Sequence, residues 1–331
     1  MRGVMNKNEF NKTTVIGCGR WGGFLGYYIA QYKKSDVLMY GLADDLAYQS
    51  LVKTGDNGYV KMPANVSYTT DLMAALQNDF IVISIGCQGL RGLCKTLNQY
   101  DLTGKKFLLA MKGLEETSAK RLSEVFKEEI TNSNPEVAVL LGPGHVQDYL
   151  KGVPSCVVID SPNAKTKVQI ADFMNSDLMR VYYGEDLIGN EIGAALKNVI
   201  GLAAGILDGL DYAGLKGALM ARAPVEVGRL INYYGGDAQS AYGLAHLGDY
   251  EATLFSPHSH NRQYGESLIK GPKFSKLAEG VATLKAVHAL KDKVEMPICN
   301  AIYEMIYNGK DAKDQINELF KRPNKPEFGN H

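Results

Sequence analysis

Short apolar runs recur through the first half of the chain, separated by longer segments with helix-like composition. They are "TTVIG" from Thr13, "DVLMYG" from Asp36, "DFIVISIG" from Asp79, "KFLLAMKG" from Lys106, "VAVLLGPG" from Val137, "SCVVID" from Ser155 and "MRVYYG" from Met179. Apolar runs of this length bounded by turn residues read as buried strands, and their alternation with helical segments predicts a mostly parallel sheet covered by helices. Several runs end in glycine at the C-terminal edge, where open α/β sheets bind ligands and where a missing Cβ lets a ligand reach the backbone. After "YYG" at 182–184 the rhythm changes to segments rich in Ala, Leu and Gly without strand alternation. The pattern thus predicts an α/β domain over 1–184 and an all-helical domain over 185–331.

The longest apolar stretch, "IGAALKNVIGLAAGILDGL" from Ile192 to Leu210, approaches membrane-spanning length. A lysine at its centre would cost on the order of 3 kcal/mol in a bilayer. With Lys197, Asn198 and Asp208 in the run, the expectation is a buried helix and no membrane span. A chain of 331 residues, 45% hydrophobic and 22% charged, suffices for two domains with a large core. Lys plus Arg equals Asp plus Glu at 36 each, so no global field draws the chain to nucleic acid or to an anionic membrane. The N-terminal run "MRGVMNKNEFNK" lacks the apolar core of a secretory signal. Cys18, Cys87, Cys94, Cys156 and Cys299 are odd in number and have no C-x-x-C spacing. Reduced, buried thiols in a cytoplasmic protein follow as the expectation.

Chemistry enters with "VIGCGRWGG", in which Gly17, Gly19 and Gly22 form G-x-G-x-x-G directly after a strand and at the start of a helix. In that context the motif is a dinucleotide fingerprint: Gly17 permits the turn, Gly19 admits the pyrophosphate, and Gly22 lets the helix pack closely on the strand. At the end of the second strand an acid would bind ribose hydroxyls and an arginine a 2′-phosphate. Here Gly41 and Leu42 fill those positions, with Asp44 and Asp45 slightly late, so neither NAD nor NADP is selected.

Lys197 follows Gly193 and Ala194 by four and three positions, leaving room on that helix face for a ligand to reach its ammonium group. A buried lysine shifts its pKa readily and suits proton transfer, the alternative being a lysine that snorkels to the surface. Lys112, in "MKGLEE" after the fourth of these runs, is placed either to meet cofactor and substrate or as an ordinary loop lysine. Asp249, Ser259, His260, Asn261 and Arg262 bring donors and a carboxylate together in "HLGDYEATLFSPHSHNRQYG". This set suits a phosphorylated or carboxylated small molecule, or else forms a solvated loop. His258 and His260 have no third ligand at a persuasive spacing, so no metal is expected.

Taken in order, "GCGRWG", "MKGLEE", "LLGPGHVQDYLKGVPS", "GNEIGAALKNVIGLAAGILDGL", "GLAHLGDYEATLFSPHSHNRQYG", "EMPICNAIYEMIYNGKD" and "RPNKPE" closely resemble the bacterial type of NAD(P)-dependent glycerol-3-phosphate dehydrogenase, over residues 13–327. The resemblance implies a Rossmann domain, a helical substrate domain and catalysis in the cleft between them. The implied reaction is reversible hydride transfer from NAD(P)H to dihydroxyacetone phosphate, giving sn-glycerol 3-phosphate for phospholipid synthesis. It assigns Lys197 to proton transfer, with Asp249 beside it, and makes Lys112 a contact to cofactor and substrate. Gly142, Asp249, Ser259, His260, Asn261 and Arg262 fall on substrate-binding positions. Arg20, Trp21, Val146, His260 and Glu279 fall with the glycine turn on cofactor-binding positions. A homodimer is the assembly expected.

Three positions depart from the family pattern. Gly142-Pro143-Gly144 stands where "GPS" is usual, Ser259-His260-Asn261-Arg262 where "SRNR" is usual, and Leu42 where an arginine often follows the second strand. The alternatives are a dehydrogenase of another small phosphorylated or carboxylated ketone, since fold does not fix substrate, and a nucleotide-binding regulator without turnover.

Overall fold

The computed structural model describes residues 10–272 and 274–327, so most of the polar N-terminal run lies outside the described residues. The chain divides into two compact units. One runs to Met111 and resumes over Leu122–Glu185; the other comprises Lys112–Arg121 and the chain from Asp186 onward. The segment 112–121, counted with the N-terminal half in the sequence reading, is therefore part of the helical unit. Its apolar contacts explain this: Leu114 and Ala119 are buried in one core with Ile192 and Leu196. Tyr234 donates a 2.7 Å hydrogen bond to Ala119 O, and Arg121 pairs with buried Glu191 at 2.7 Å.

The first unit is built on eight strands: β1 (Lys12–Ile16), β2 (Asp36–Tyr40), β3 (Val66–Thr69), β4 (Phe80–Ile83), β5 (Lys106–Leu109), β6 (Glu136–Leu141), β7 (Ser155–Asp160) and β8 (Met179–Tyr183). They lie in the order β3-β2-β1-β4-β5-β6-β7-β8. All pairs are parallel except β6 with β7, where Leu140 faces Ile159. Every residue of "FIVI" in β4 is buried, as expected of a parallel strand covered on both faces. At the sheet edge no residue of β3, "VSYT", is fully buried. Chain order reverses between β1 and β4, which makes the carboxyl ends of these two strands the topological switch point.

In the second unit the Leu187–Gly209 helix is the core. It is long and apolar enough to cross a membrane, but 94% of its apolar window is buried by its neighbours within the protein. Its backbone meets that of the His260–Lys270 helix directly. A Cβ added at Gly205 would lie 1.9 Å from Arg262 O, and one added at Gly265 would lie 2.1 Å from Leu202 O. Small residues here bring the two helices close enough to fix Asn261 against the long helix. Glu226, 2% exposed, accepts the amides of Ile298 and Cys299, both at 2.8 Å. It thereby satisfies the first turn of the Pro297–Tyr307 helix, whose own N-cap supplies no side-chain acceptor. Four of the cysteines are buried and Cys156 is half-buried.

Candidate functional site

The glycine turn sits at the switch point, between the end of β1 and the Arg20–Tyr32 helix. Gly17 N donates to Tyr40 O at 2.9 Å and Ser84 N donates to Ile16 O at 2.8 Å, tying the turn to β2 and β4. Gly17 has φ +112°, and a Cβ there would be 2.1 Å from Ser84 O. A Cβ at Gly22 would be 2.2 Å from Gly17 O, whereas one at Gly19 would meet no atom within 4 Å. Gly17 and Gly22 are therefore required by the fold, while Gly19 leaves open space above a helix N-terminus. Amide hydrogens and the helix dipole there suit a pyrophosphate. The first turn of this helix carries no acidic side chain that would oppose an anion. Asn57, which the sequence reading did not single out, donates to Cys18 O at 3.0 Å and Gly19 O at 3.2 Å. Those bonds satisfy two carbonyls of the glycine loop.

Around the turn, the Arg20 guanidinium lies 5.9 Å from the Tyr59 ring centroid, and Trp21 stacks on Phe24 at 5.4 Å. Val146 is buried at the start of the Val146–Leu150 helix, and Gly142 closes β6 with φ +115°. Beyond β2, Leu42 is 61% exposed. Asp45 accepts the amides of Ala47 and Tyr48 at 2.7 and 3.4 Å, so this carboxylate caps the Leu46–Thr54 helix.

The second constellation lies wholly in the helical unit. Lys112 and Lys197 donate to the same oxygen, Asp249 Oδ2, at 2.7 and 2.9 Å. Asp249 is 1% exposed and Lys197 8%. Lys197 also donates to Thr253 Oγ1 at 2.9 Å, while that hydroxyl donates to Asp249 O at 2.7 Å. Burial is the largest influence on Lys197 and lowers its pKa to about 8; Asp249 opposes this and Lys112 reinforces it. The result is an ammonium that can release or recover a proton near neutral pH, which is the requirement for acid-base work. The long helix supplies Lys197, the 112–121 segment Lys112, and a short turn, Leu247–Asp249, the carboxylate.

Asn261 joins this centre indirectly: its Nδ2 donates to Asn198 Oδ1 at 3.0 Å, and its Oδ1 accepts Gly280 N at 2.9 Å. Asn198 follows Lys197 on the long helix, and Glu279 opens the Glu279–His288 helix beside Gly280. The other loop candidates are engaged elsewhere. Ser259 caps the His260–Lys270 helix by accepting Arg262 N at 3.3 Å. Arg262 Nε donates to Asp208 Oδ2 at 2.6 Å, and His260 Nδ1 lies 3.2 Å from Leu277 O. The sequence reading missed Thr253, Asn198 and the Arg121–Glu191 pair. Only Thr253 carried a signal, standing four residues after Asp249 and so one helical turn away.

Comparison with known proteins agrees with this architecture. Residues 12–167 match the family model for the NAD-dependent glycerol-3-phosphate dehydrogenase N-terminus, and residues 186–317 match that for the C-terminus. The chain is 34% identical over 332 residues to glycerol-3-phosphate dehydrogenase [NAD(P)+] of Clostridium botulinum, covering 96% of this chain and 99% of the relative. It is 35% identical to the protein of the same name from Prosthecochloris aestuarii, over 95% and 99% of the two chains. The crystal structure of a glycerol-3-phosphate dehydrogenase from Coxiella burnetii superposes with a TM-score of 0.88 at 26% identity, covering 96% of this chain and all of that one.

Proposed function

Given that the chain belongs to the NAD-dependent glycerol-3-phosphate dehydrogenase family, we propose that it reduces dihydroxyacetone phosphate to sn-glycerol 3-phosphate, with Lys197 as the proton donor. The observation that carries the assignment is the sharing of one buried carboxylate oxygen by Lys112 and Lys197. Bound NAD(P)H supplies the hydride. As the ketone carbon receives it, the oxygen gains negative charge, and the Lys197 ammonium delivers the proton that oxygen needs. Asp249 holds Lys197 in its protonated form against the pull of burial, and Thr253 fixes the direction of its N–H bonds. Lys112, 21% exposed at its side chain, is the more accessible cation of the pair and is assigned to the anionic substrate. In the oxidative direction neutral Lys197 takes the hydroxyl proton. In this reading Arg262 and Ser259 are left out of phosphate binding because Asp208 and a helix N-terminus hold them, Asn261 acts through Asn198 on the Lys197 helix, and His260 is kept as the loop contact.

Lys197→Ala is expected to lower kcat for dihydroxyacetone phosphate reduction by about 10²–10⁴-fold, the usual worth of a positioned general acid. NAD(P)H affinity, measured by fluorescence on the same preparation, should stay close to wild type. Wild-type kcat in this variant would eliminate Lys197 as the donor. Lys197→Arg should also fail, because a guanidinium does not give up its proton near neutrality.

A further inference from the structure

We propose that His246 is a positioning residue for the Lys197–Asp249 pair, acting through a single hydrogen bond from its Nδ1. This rests on the reading of Lys197 as proton donor. His246 is 0% exposed. Its Nδ1 lies 2.8 Å from Gly193 O, and its Nε2 lies 2.6 Å from the Tyr250 hydroxyl. A carbonyl oxygen only accepts, so Nδ1 carries the hydrogen; Nε2 then accepts from the Tyr250 hydroxyl, and the ring is neutral with both nitrogens satisfied. Burial supports that state by pulling the His246 pKa down to about 4, with Asp249 and Lys197 as the charged groups that act on it.

Gly193 and Lys197 stand four apart in the same helix, so Gly193 O is also the acceptor of the Lys197 backbone amide. His246 therefore docks onto the one carbonyl that defines the helical turn carrying Lys197. On its other side His246 O accepts Asp249 N at 3.0 Å, starting the short turn that presents the carboxylate. The bonds close a ring: Gly193 O to the imidazole, through the chain to Asp249, across 2.9 Å to Lys197 Nζ, and back through the Lys197 amide. Glycine at 193 lets the parts approach, since a Cβ there would sit 3.0 Å from His246 Cβ. A fully buried ring with both nitrogens occupied has no contact left for substrate, so its role is to set the distance between the two charges.

The test compares His246→Asn, whose Nδ2 falls where Nδ1 was, with His246→Gln, which places its amide at the far end and leaves Gly193 O without the donor. Wild type, Tyr250→Phe and Lys197→Ala complete the series, each checked for folding by thermal midpoint and NADH binding. His246→Asn is expected within about threefold of wild-type kcat, and His246→Gln about 10–100-fold below it, since displacements of about 1 Å at a reacting group cost that much. KM for dihydroxyacetone phosphate should change less than kcat, and NADH affinity not at all. Equal losses in the Asn and Gln variants, or wild-type kcat in His246→Gln, would overturn the proposal. If His246→Gln does not fold, Tyr250→Phe decides: it keeps the ring and the Gly193 bond, so kcat within about threefold of wild type supports the Nδ1 assignment. A tenfold or greater loss there moves the essential contact to the phenol and overturns it. An active Lys197→Ala would refute the donor reading itself, a result distinct from an inert His246→Gln in a series where Lys197→Ala is dead.

Discussion

Replacing Asp249 by asparagine keeps the shape of the side chain and removes the one carboxylate that both lysines share. The carboxylate lies 2.9 Å from Lys197 Nζ and 2.7 Å from Lys112 Nζ, and it is 1% exposed. At an effective dielectric of about 20, a pair at the Lys197 separation of 2.9 Å attracts by roughly 6 kcal/mol before desolvation is subtracted. Even a third of that exceeds the about 1.4 kcal/mol that changes a protonation ratio tenfold. In the wild type, burial lowers the Lys197 pKa to about 8 while Asp249 holds it up. Without Asp249 the burial and the push from Lys112 remain, so the pKa moves further down and the ratio of protonated to neutral Lys197 at a given pH falls about tenfold or more. The sign differs between directions. Ketone reduction needs the ammonium and is lost as pH rises through this pKa, so in Asp249→Asn the loss begins at lower pH. Alcohol oxidation needs the neutral amine, so its rise also begins at lower pH. The assay is kcat against pH in both directions, with cofactor binding followed in parallel. A profile whose limbs stay in place, or move to higher pH, would refute the electrostatic reasoning even if kcat dropped.

Gly19→Ala should fold normally, because a Cβ there meets nothing within 4 Å, yet bind NADH about tenfold or more weakly, since the bound pyrophosphate would fill that space. Gly22→Ala, whose Cβ would lie 2.2 Å from Gly17 O, should disturb the turn itself and lower the thermal midpoint as well; equal midpoints would contradict this contrast. With Leu42 exposed beyond β2 and Asp45 committed to its helix cap, NADPH should not exceed NADH in kcat/KM by the hundredfold that a charged 2′-phosphate partner can supply, about 1.5–3 kcal/mol. Parallel steady-state assays decide, and a larger preference would point to another cation such as Lys53. Glu226→Ala strips two amides of a buried acceptor and should destabilise the helical unit by about 2–4 kcal/mol in urea unfolding; an unchanged midpoint would show that water replaces the carboxylate.

Seven of the eight strands were legible as short apolar or aromatic runs bounded by turn residues, most plainly "FIVI", where burial on both faces demands a continuous apolar run, and still at the mostly exposed edge strand "MRVYY", which ends in β-branched and aromatic residues. β3 was not, since an edge strand of "VSYT" is only partly buried and has no such run. Nor does periodicity give strand direction, so the antiparallel step from β6 to β7 carried no mark in the residues. Lys197 was legible because charge is costly inside an apolar helix. Thr253 left only its four-residue spacing from Asp249 as a signal, and His246 left none, because its contact is with a backbone carbonyl, Gly193 O, and any residue supplies a carbonyl. Asp45 stood slightly late for a ribose-binding acid, and a side chain of this kind two residues before an open amide also makes a helix cap, which is the role it takes.

The excursion of Lys112–Arg121 into the helical unit has a consequence for synthesis. Arg121 emerges 70 residues before Glu191, its ion-pair partner, and Lys112 emerges 137 residues before Asp249. At about 5–20 residues per second the second interval lasts roughly 7–27 s. All eight strands are complete by Tyr183, so the sheet can close while this segment is still a solvated loop. Loop closure of that size adds little entropy, so the early unit need not wait for it. The nascent chain would therefore acquire its glycine turn first and the proposed Lys112–Lys197–Asp249 centre only after Asp249 has emerged.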